Sequence, residues 1–123
     1  MEHIMASIMV VDDEKLVRWS VSNILKRDRH EVFCAQNGKE AIEKAKETFF
    51  DLVITDYNMP GINGLELLVQ LKQLSPETKV VILTTYSAKV SERMTMDVGA
   101  CGYIEKPFLV DEIRKVVQTV LSK

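Results

Sequence analysis

Four stretches of the 123-residue chain carry side chains able to do chemistry, and each stands directly after an apolar, β-branched run. Asp12-Asp13-Glu14 follows Ser7–Val11, and Asp56 follows Asp51–Thr55. Thr84 closes Lys79–Thr84 with Thr85 next, and Lys106-Pro107 follows Gly102–Glu105. Singly, each has a plain structural explanation. Asp12 or Asp13 suits the N-cap of a following helix. Asp56 suits a turn before Asn58-Met59-Pro60-Gly61, Thr84 a satisfied buried hydroxyl, and Lys106 a solvated loop lysine. Together these explanations require four coincidences at one place in a repeating unit. Two carboxylates about 4 Å apart repel by roughly 4 kcal/mol at the dielectric of a protein surface. Acids crowded in this way need cations among them, and Lys106 supplies one. A few carboxylate oxygens with coordination positions left open suit Mg²⁺, which keeps waters and bridges to phosphate oxygens. Neither His3 nor His30 follows one of these runs, which disfavours zinc. A carboxylate, a hard divalent cation, a lysine and a hydroxyl are the equipment of phosphoryl transfer. Asp56 is then the nucleophile. The cation and Lys106 neutralise charge on the equatorial oxygens, and the Thr84 hydroxyl donates to another. Asp12 and Asp13 serve as metal ligands, directly or through water, and the backbone carbonyl of Asn58 adds a further oxygen.

Elements must bring these positions together. With Glu31–Ala35 the apolar runs number five, and segments of helical period lie between them. Glu14 to Asp28 lines up Val17, Val21, Ile24 and Leu25. Gly38 to Phe49 lines up Ala41, Ile42, Ala45 and Phe49. Asn63 to Leu74 stacks Leu65, Leu68 and Leu71 with Leu67 and Leu74 beside them. Leu109 to Ser122 gives Ile113, Val116, Val117, Val120 and Leu121. The stretch Ser87–Val98 offers only Val90, Met94 and Val98, so a helix there docks weakly. Strand and helix alternating five times predict an α/β doubly wound parallel sheet with right-handed crossovers. Near-continuous apolarity in the first, third and fourth runs fits strands covered on both faces. In such a sheet, ligands bind beyond the carboxyl ends of the strands where strand order reverses. The acids, hydroxyl and lysine all fall there.

Composition narrows the class. At 46% hydrophobic and 28% charged, the chain is an ordinary globular domain rather than a disordered or fibrous one. A length of 123 residues fits one domain, 1–123, with enough core to need no staple. A net charge of −2 gives no electrostatic footprint for nucleic acid or an anionic membrane. No apolar run nears the roughly 18 residues of a membrane span, and Met1-Glu2-His3 lacks a signal peptide's basic start. Cys34 and Cys101 each sit in an apolar stretch and are expected as small buried hydrophobes of a reducing, cytoplasmic setting.

The sequence also resembles a known family. Val10-Val11-Asp12-Asp13-Glu14, Asp56-Tyr57-Asn58-Met59-Pro60-Gly61-Ile62-Asn63-Gly64, Thr84 at a strand end and Lys106-Pro107-Phe108 look like the receiver domain of two-component response regulators. The likeness covers essentially the whole chain in order and spacing. It implies a flavodoxin-like three-layer sandwich with five parallel strands in the order 2-1-3-4-5 and five helices; a receiver is one of the standard cases of that order's switch-point rule. It implies that Asp56 accepts a phosphoryl group from a sensor histidine kinase, and that Asp12, Asp13, Asp56 and the Asn58 carbonyl hold Mg²⁺. Lys106 and Thr84 assist, and the Lys106–Pro107 bond is cis. It implies a switch in which Thr84 moves, Tyr103 turns inward, and the face of the fourth helix, fifth strand and fifth helix changes shape. The expected partners are the kinase and an output domain or downstream protein, with a homodimer formed on phosphorylation. The run from Asp12 to Ser20 looks most like receivers of nitrogen-regulation type. Thr85 stands where the family usually has Ala or Gly, and Asn58 and Tyr86 occupy positions thought to tune self-hydrolysis. These three bear on the lifetime of the phosphorylated state.

Other readings make different demands. A dehalogenase-like phosphohydrolase also uses an Asp nucleophile with Mg²⁺, but needs a second Asp two residues on, where this chain has Asn58. A flavin or nucleotide carrier needs a Gly-, Ser- or Thr-rich loop after the first strand, where this chain has Asp12-Asp13-Glu14. A receiver used only for docking would lack reactive positions that are all occupied here. The expectation is therefore a regulator rather than an enzyme acting on other molecules.

Overall fold

The computed structural model describes residues 5–85 and 92–122. Strands and helices alternate throughout. They run β1 (Ser7–Val11), α1 (Lys15–Arg27), β2 (Glu31–Ala35), α2 (Gly38–Glu47), β3 (Leu52–Asp56), α3 (Gly64–Leu74), β4 (Lys79–Thr85), α4 (Glu92–Val98), β5 (Gly102–Lys106) and α5 (Val110–Leu121). The strands form one parallel sheet in the order β2-β1-β3-β4-β5. The expected flavodoxin-like architecture is therefore present.

The period-2 alternation of the strands sorts the core into two layers. Ile8, Val10, Leu52, Ile54, Val81 and Leu83 pack with Val21, Ile24 and Leu25 of α1 and with Ile113, Val117 and Val120 of α5. Met9, Val11, Val53, Val80 and Ile82 pack with Ala41 of α2 and with Leu67, Leu68 and Leu71 of α3. Every residue of β3 is buried, as expected for a central strand covered on both faces. Side-chain caps fix two helix starts: Asn37 accepts from Glu40 N, and Asn63 with Glu66 forms a reciprocal capping box.

The end of the sheet where the strands begin is tied by side chain–backbone hydrogen bonds. Asp51 Oδ2 accepts from Ser7 N at 2.8 Å, and Thr78 Oγ1 donates to the Phe50 carbonyl at 2.8 Å. His30 Nδ1 accepts from Ala6 N at 3.1 Å, and Lys79 Nζ donates to the Val120 carbonyl at the end of α5 at 2.8 Å.

Several sequence expectations need correction. α2 ends at Glu47, so Phe49 leaves the helical period and is exposed while Phe50 enters the core. Leu74 lies at the exposed end of α3. Trp19 on α1 is 64% exposed. Cys34 is exposed because β2 is the edge strand, and Cys101 is half-buried. In α4, Met94 and Val98 do not face the core; Thr95 is the buried residue, its hydroxyl donating to the Glu92 carbonyl at 2.8 Å. Residues 87–91 of the expected fourth helix, Val90 among them, lie outside the described residues, as do His3 and Tyr86.

Candidate functional site

The carboxyl ends of β1, β3 and β5 meet at one edge. Asp12 follows β1, while Asp56 and Lys106 are the last residues of β3 and β5. Lys106 Nζ lies 2.9 Å from Asp12 Oδ2 and 3.4 Å from Asp56 Oδ2, one ammonium spanning two acids. One carboxylate oxygen from each of Asp12, Asp13 and Asp56 lies within 4.8 Å of the others. Asp12 and Asp56 are buried, whereas Asp13 is exposed and opens the cluster to solvent.

Local structure holds these acids in place. Asp12 N donates to the Ala35 carbonyl at 3.2 Å. Asp12 Oδ1 accepts from Glu14 N at 2.9 Å, which draws the β1–α1 turn around its side chain. Neither Asp12 nor Asp13 is the N-cap; Glu14 holds that position without a side-chain cap bond. After Asp56 the chain loops through Tyr57 to Asn63 and closes with Gly64 N donating to the Tyr57 carbonyl at 2.8 Å. Gly61 adopts φ +81°, which favours glycine there. A Cβ on Gly64 would lie 2.5 Å from the Asp56 carbonyl oxygen, so only glycine lets α3 start this close behind the acid.

The electrostatics follow from the crowding. Burial, and then the charge of Asp12, raise Asp56 to about 6, outweighing the lowering effect of Lys106. Burial alone would lower Lys106, but its bond to Asp12 and the charges of both acids outweigh burial and raise it. Asp56 Oδ1 is buried with no hydrogen-bond partner among the described residues. A buried anionic oxygen without a donor is a place for a cation or a transferred group. Oxygen-only donors, one side open and an unpaired anionic oxygen fit a hard divalent cation.

Not every expected residue joins the cluster. Thr84 is buried one residue beyond Leu83, which pairs with Asp56 in the sheet, and its hydroxyl donates to the Thr85 carbonyl at 3.3 Å rather than to an acid. Alternation explains this, because Val81 and Leu83 share one layer and Thr84 falls to the other. Asn58 is exposed in the loop after β3. Tyr103 is half-buried on β5, and burial, Glu105 and Glu92 raise its phenol above the ordinary value. The Lys106–Pro107 peptide is cis. Sequence reading missed Arg18, whose Nη1 donates to the Asp12 carbonyl at 2.7 Å. The signal was a lone arginine one turn into α1, indistinguishable in sequence from a solvated helix residue.

Comparison with known proteins shows the family and the fold. The family model for the response regulator receiver domain matches residues 8–118. Sporulation initiation phosphotransferase F of Bacillus subtilis (strain 168) is 31% identical over 114 residues, covering 93% of this chain and 92% of that protein. The structure of the chemotaxis protein CheY4 of Vibrio cholerae superposes with a TM-score of 0.87 at 34% identity, covering 95% of this chain and 99% of that one. NtrX from Brucella abortus gives a TM-score of 0.90 at 31% identity, covering 97% of this chain but 27% of that one. The chain also spans 54% of the length of two further regulators that it matches. On the matched residues, the sheet order and these relatives, the chain belongs to the receiver domain family of two-component response regulators.

Proposed function

We propose that Asp56 is the phosphoacceptor of this receiver and that residues 1–123 act as one such domain. The observation that carries the reading is the Asp12–Asp13–Asp56 cluster, bridged by Lys106, with Asp56 Oδ1 buried and unpartnered. A carboxylate oxygen of Asp56 attacks the phosphorus of a phosphohistidine on a sensor kinase. The new O–P bond gives an acyl phosphate as the P–N bond breaks, and the departing imidazole takes a proton. Lys106 holds positive charge against the transferred oxygens, and Thr84 turns its hydroxyl from the Thr85 carbonyl to meet one of them. Asp12, Asp13, Asp56 and the Asn58 carbonyl would hold Mg²⁺, which supplies charge neutralisation in the transition state.

The switch then runs through Thr84 and Tyr103 to the α4–β5–α5 face, which controls an output domain or a downstream protein and forms a homodimer on phosphorylation. The setting is cytoplasmic; no described helix is long and apolar enough to cross a membrane. The reaction is the chain's own phosphorylation and dephosphorylation, with no separate substrate turned over. Acetyl phosphate with Mg²⁺ tests the assignment: intact-mass measurement should find one added phosphoryl group, absent from Asp56→Ala. The same adduct on Asp56→Ala overturns it.

A further inference from the structure

We propose that Arg18 is a positioning residue for the cation site, clamping the peptide plane that carries Asp13. This rests on the reading that Asp13 helps hold Mg²⁺. Of the three clustered carboxylates, Asp12 is fixed by Glu14 N and Lys106, and Asp56 by its buried place at the end of β3 and by Lys106. Asp13 is exposed and makes no side-chain hydrogen bond or ion pair among the described residues. Its carboxylate is therefore placed by the backbone of the β1–α1 turn alone.

That turn has an unusual support. The N-cap, Glu14, offers no side-chain cap. One turn later Arg18 N donates to the Glu14 carbonyl at 3.1 Å, which sets Arg18 on the first helical turn. Helical side chains lean toward the N-terminus. The guanidinium accordingly reaches back over the turn, and its Nη1 donates to the Asp12 carbonyl at 2.7 Å. The Asp12 carbonyl and the Asp13 N–H belong to one rigid peptide unit. A charge-assisted bond to that carbonyl fixes the orientation of the unit, and with it the direction from which Asp13 leaves the backbone. Groups that orient ligands from behind commonly carry a measurable share of metal affinity. The guanidinium charge acts in the opposite sense, repelling a cation. The two effects predict opposite outcomes when the side chain is removed, and the geometry points to the clamp as the larger.

The test uses the unphosphorylated chain and MgCl₂ in isothermal titration calorimetry, with acetyl phosphate phosphorylation followed in parallel across a Mg²⁺ series. Arg18→Ala should weaken Mg²⁺ binding by about 10-fold. It should slow phosphorylation at low Mg²⁺ and recover the parent's rate at saturating Mg²⁺, a split that a general loss of structure would not give. Arg18→Lys should recover part of the affinity. Arg18→Met keeps the aliphatic stem without a donor and makes the same comparison should the alanine variant fail to fold. Binding by Arg18→Met or Arg18→Ala that equals or exceeds the parent's overturns the proposal. Asp13→Asn separates the two layers of the argument. If it binds Mg²⁺ like the parent, the assignment of Asp13 fails; if it loses binding while Arg18→Met keeps it, only the role of Arg18 fails.

Discussion

An ionised Asp56 is held against its own preference. The folded chain binds its proton up to about 6, against the ordinary 3.8, because burial and Asp12 disfavour the charge. Between those values the folded state carries a proton that the unfolded chain has released, so stability from this group falls as pH rises through the window. Above about 6 the deficit stays. Asp56→Asn should therefore raise stability at neutral pH by about 1–2 kcal/mol and leave it nearly unchanged below the window. Urea denaturation across a pH series checks this. As the proposed nucleophile Asp56 must be ionised, so phosphorylation by acetyl phosphate should fall as pH drops through about 6 at low Mg²⁺, with the inflection moving lower as Mg²⁺ rises. Lys106→Ala leaves two buried carboxylates without their shared cation and should cost about 3 kcal/mol, read by the same denaturation. Asp12, Asp56 and Lys106 were legible in the sequence because strand ends are legible and a parallel sheet gathers its carboxyl ends at one edge. Arg18 was not, because its partner is a backbone carbonyl, and backbone atoms have no signature in the sequence.

At the scale of elements, loops succeed or fail by how closely they let neighbours approach. Asn63-Gly64 announced a turn, but the need for glycine at 64 comes from a contact with the Asp56 carbonyl that spacing cannot reveal. Gly64→Ala should push α3 off the end of β3, destabilise the chain by roughly 1–3 kcal/mol, and slow phosphorylation; paired denaturation and acetyl phosphate assays test both. The misplacement of Phe49 has a similar origin. A 3.6-residue period applies only while the helix lasts, and ending α2 at Glu47 hands the core position to Phe50, which stacks edge-on to Phe33 with centroids 5.4 Å apart. In α4, Thr95 is the buried residue from Glu92 to Val98, whereas α3 buries Leu67, Leu68 and Leu71. Amide hydrogen exchange should therefore be faster in α4 than in α3, and equal protection would contradict weak docking.

For the whole molecule, an ion that binds the folded chain and not the unfolded one adds stability by mass action. Mg²⁺ at 100 times its dissociation constant should add about 2.7 kcal/mol. At pH 5 the gain should shrink, because a proton then competes for Asp56; thermal melts with and without MgCl₂ at two pH values measure it. The parallel sheet was legible at this scale from five alternations, and its strand order from the family resemblance. The exposure of Cys34 was not read, because its apolar run suggested burial although that order sets β2 at an edge of the sheet. The latches from Asp51, Thr78, His30 and Lys79 all sit at the opposite rim, where the strands begin. At the reactive rim the ties are ionic instead, Lys106 bridging Asp12 and Asp56. A change of charge at Asp56 would therefore disturb the ionic ties of its own rim, while the hydrogen-bonded rim keeps its grip on the strands like the fixed jaw of a vice.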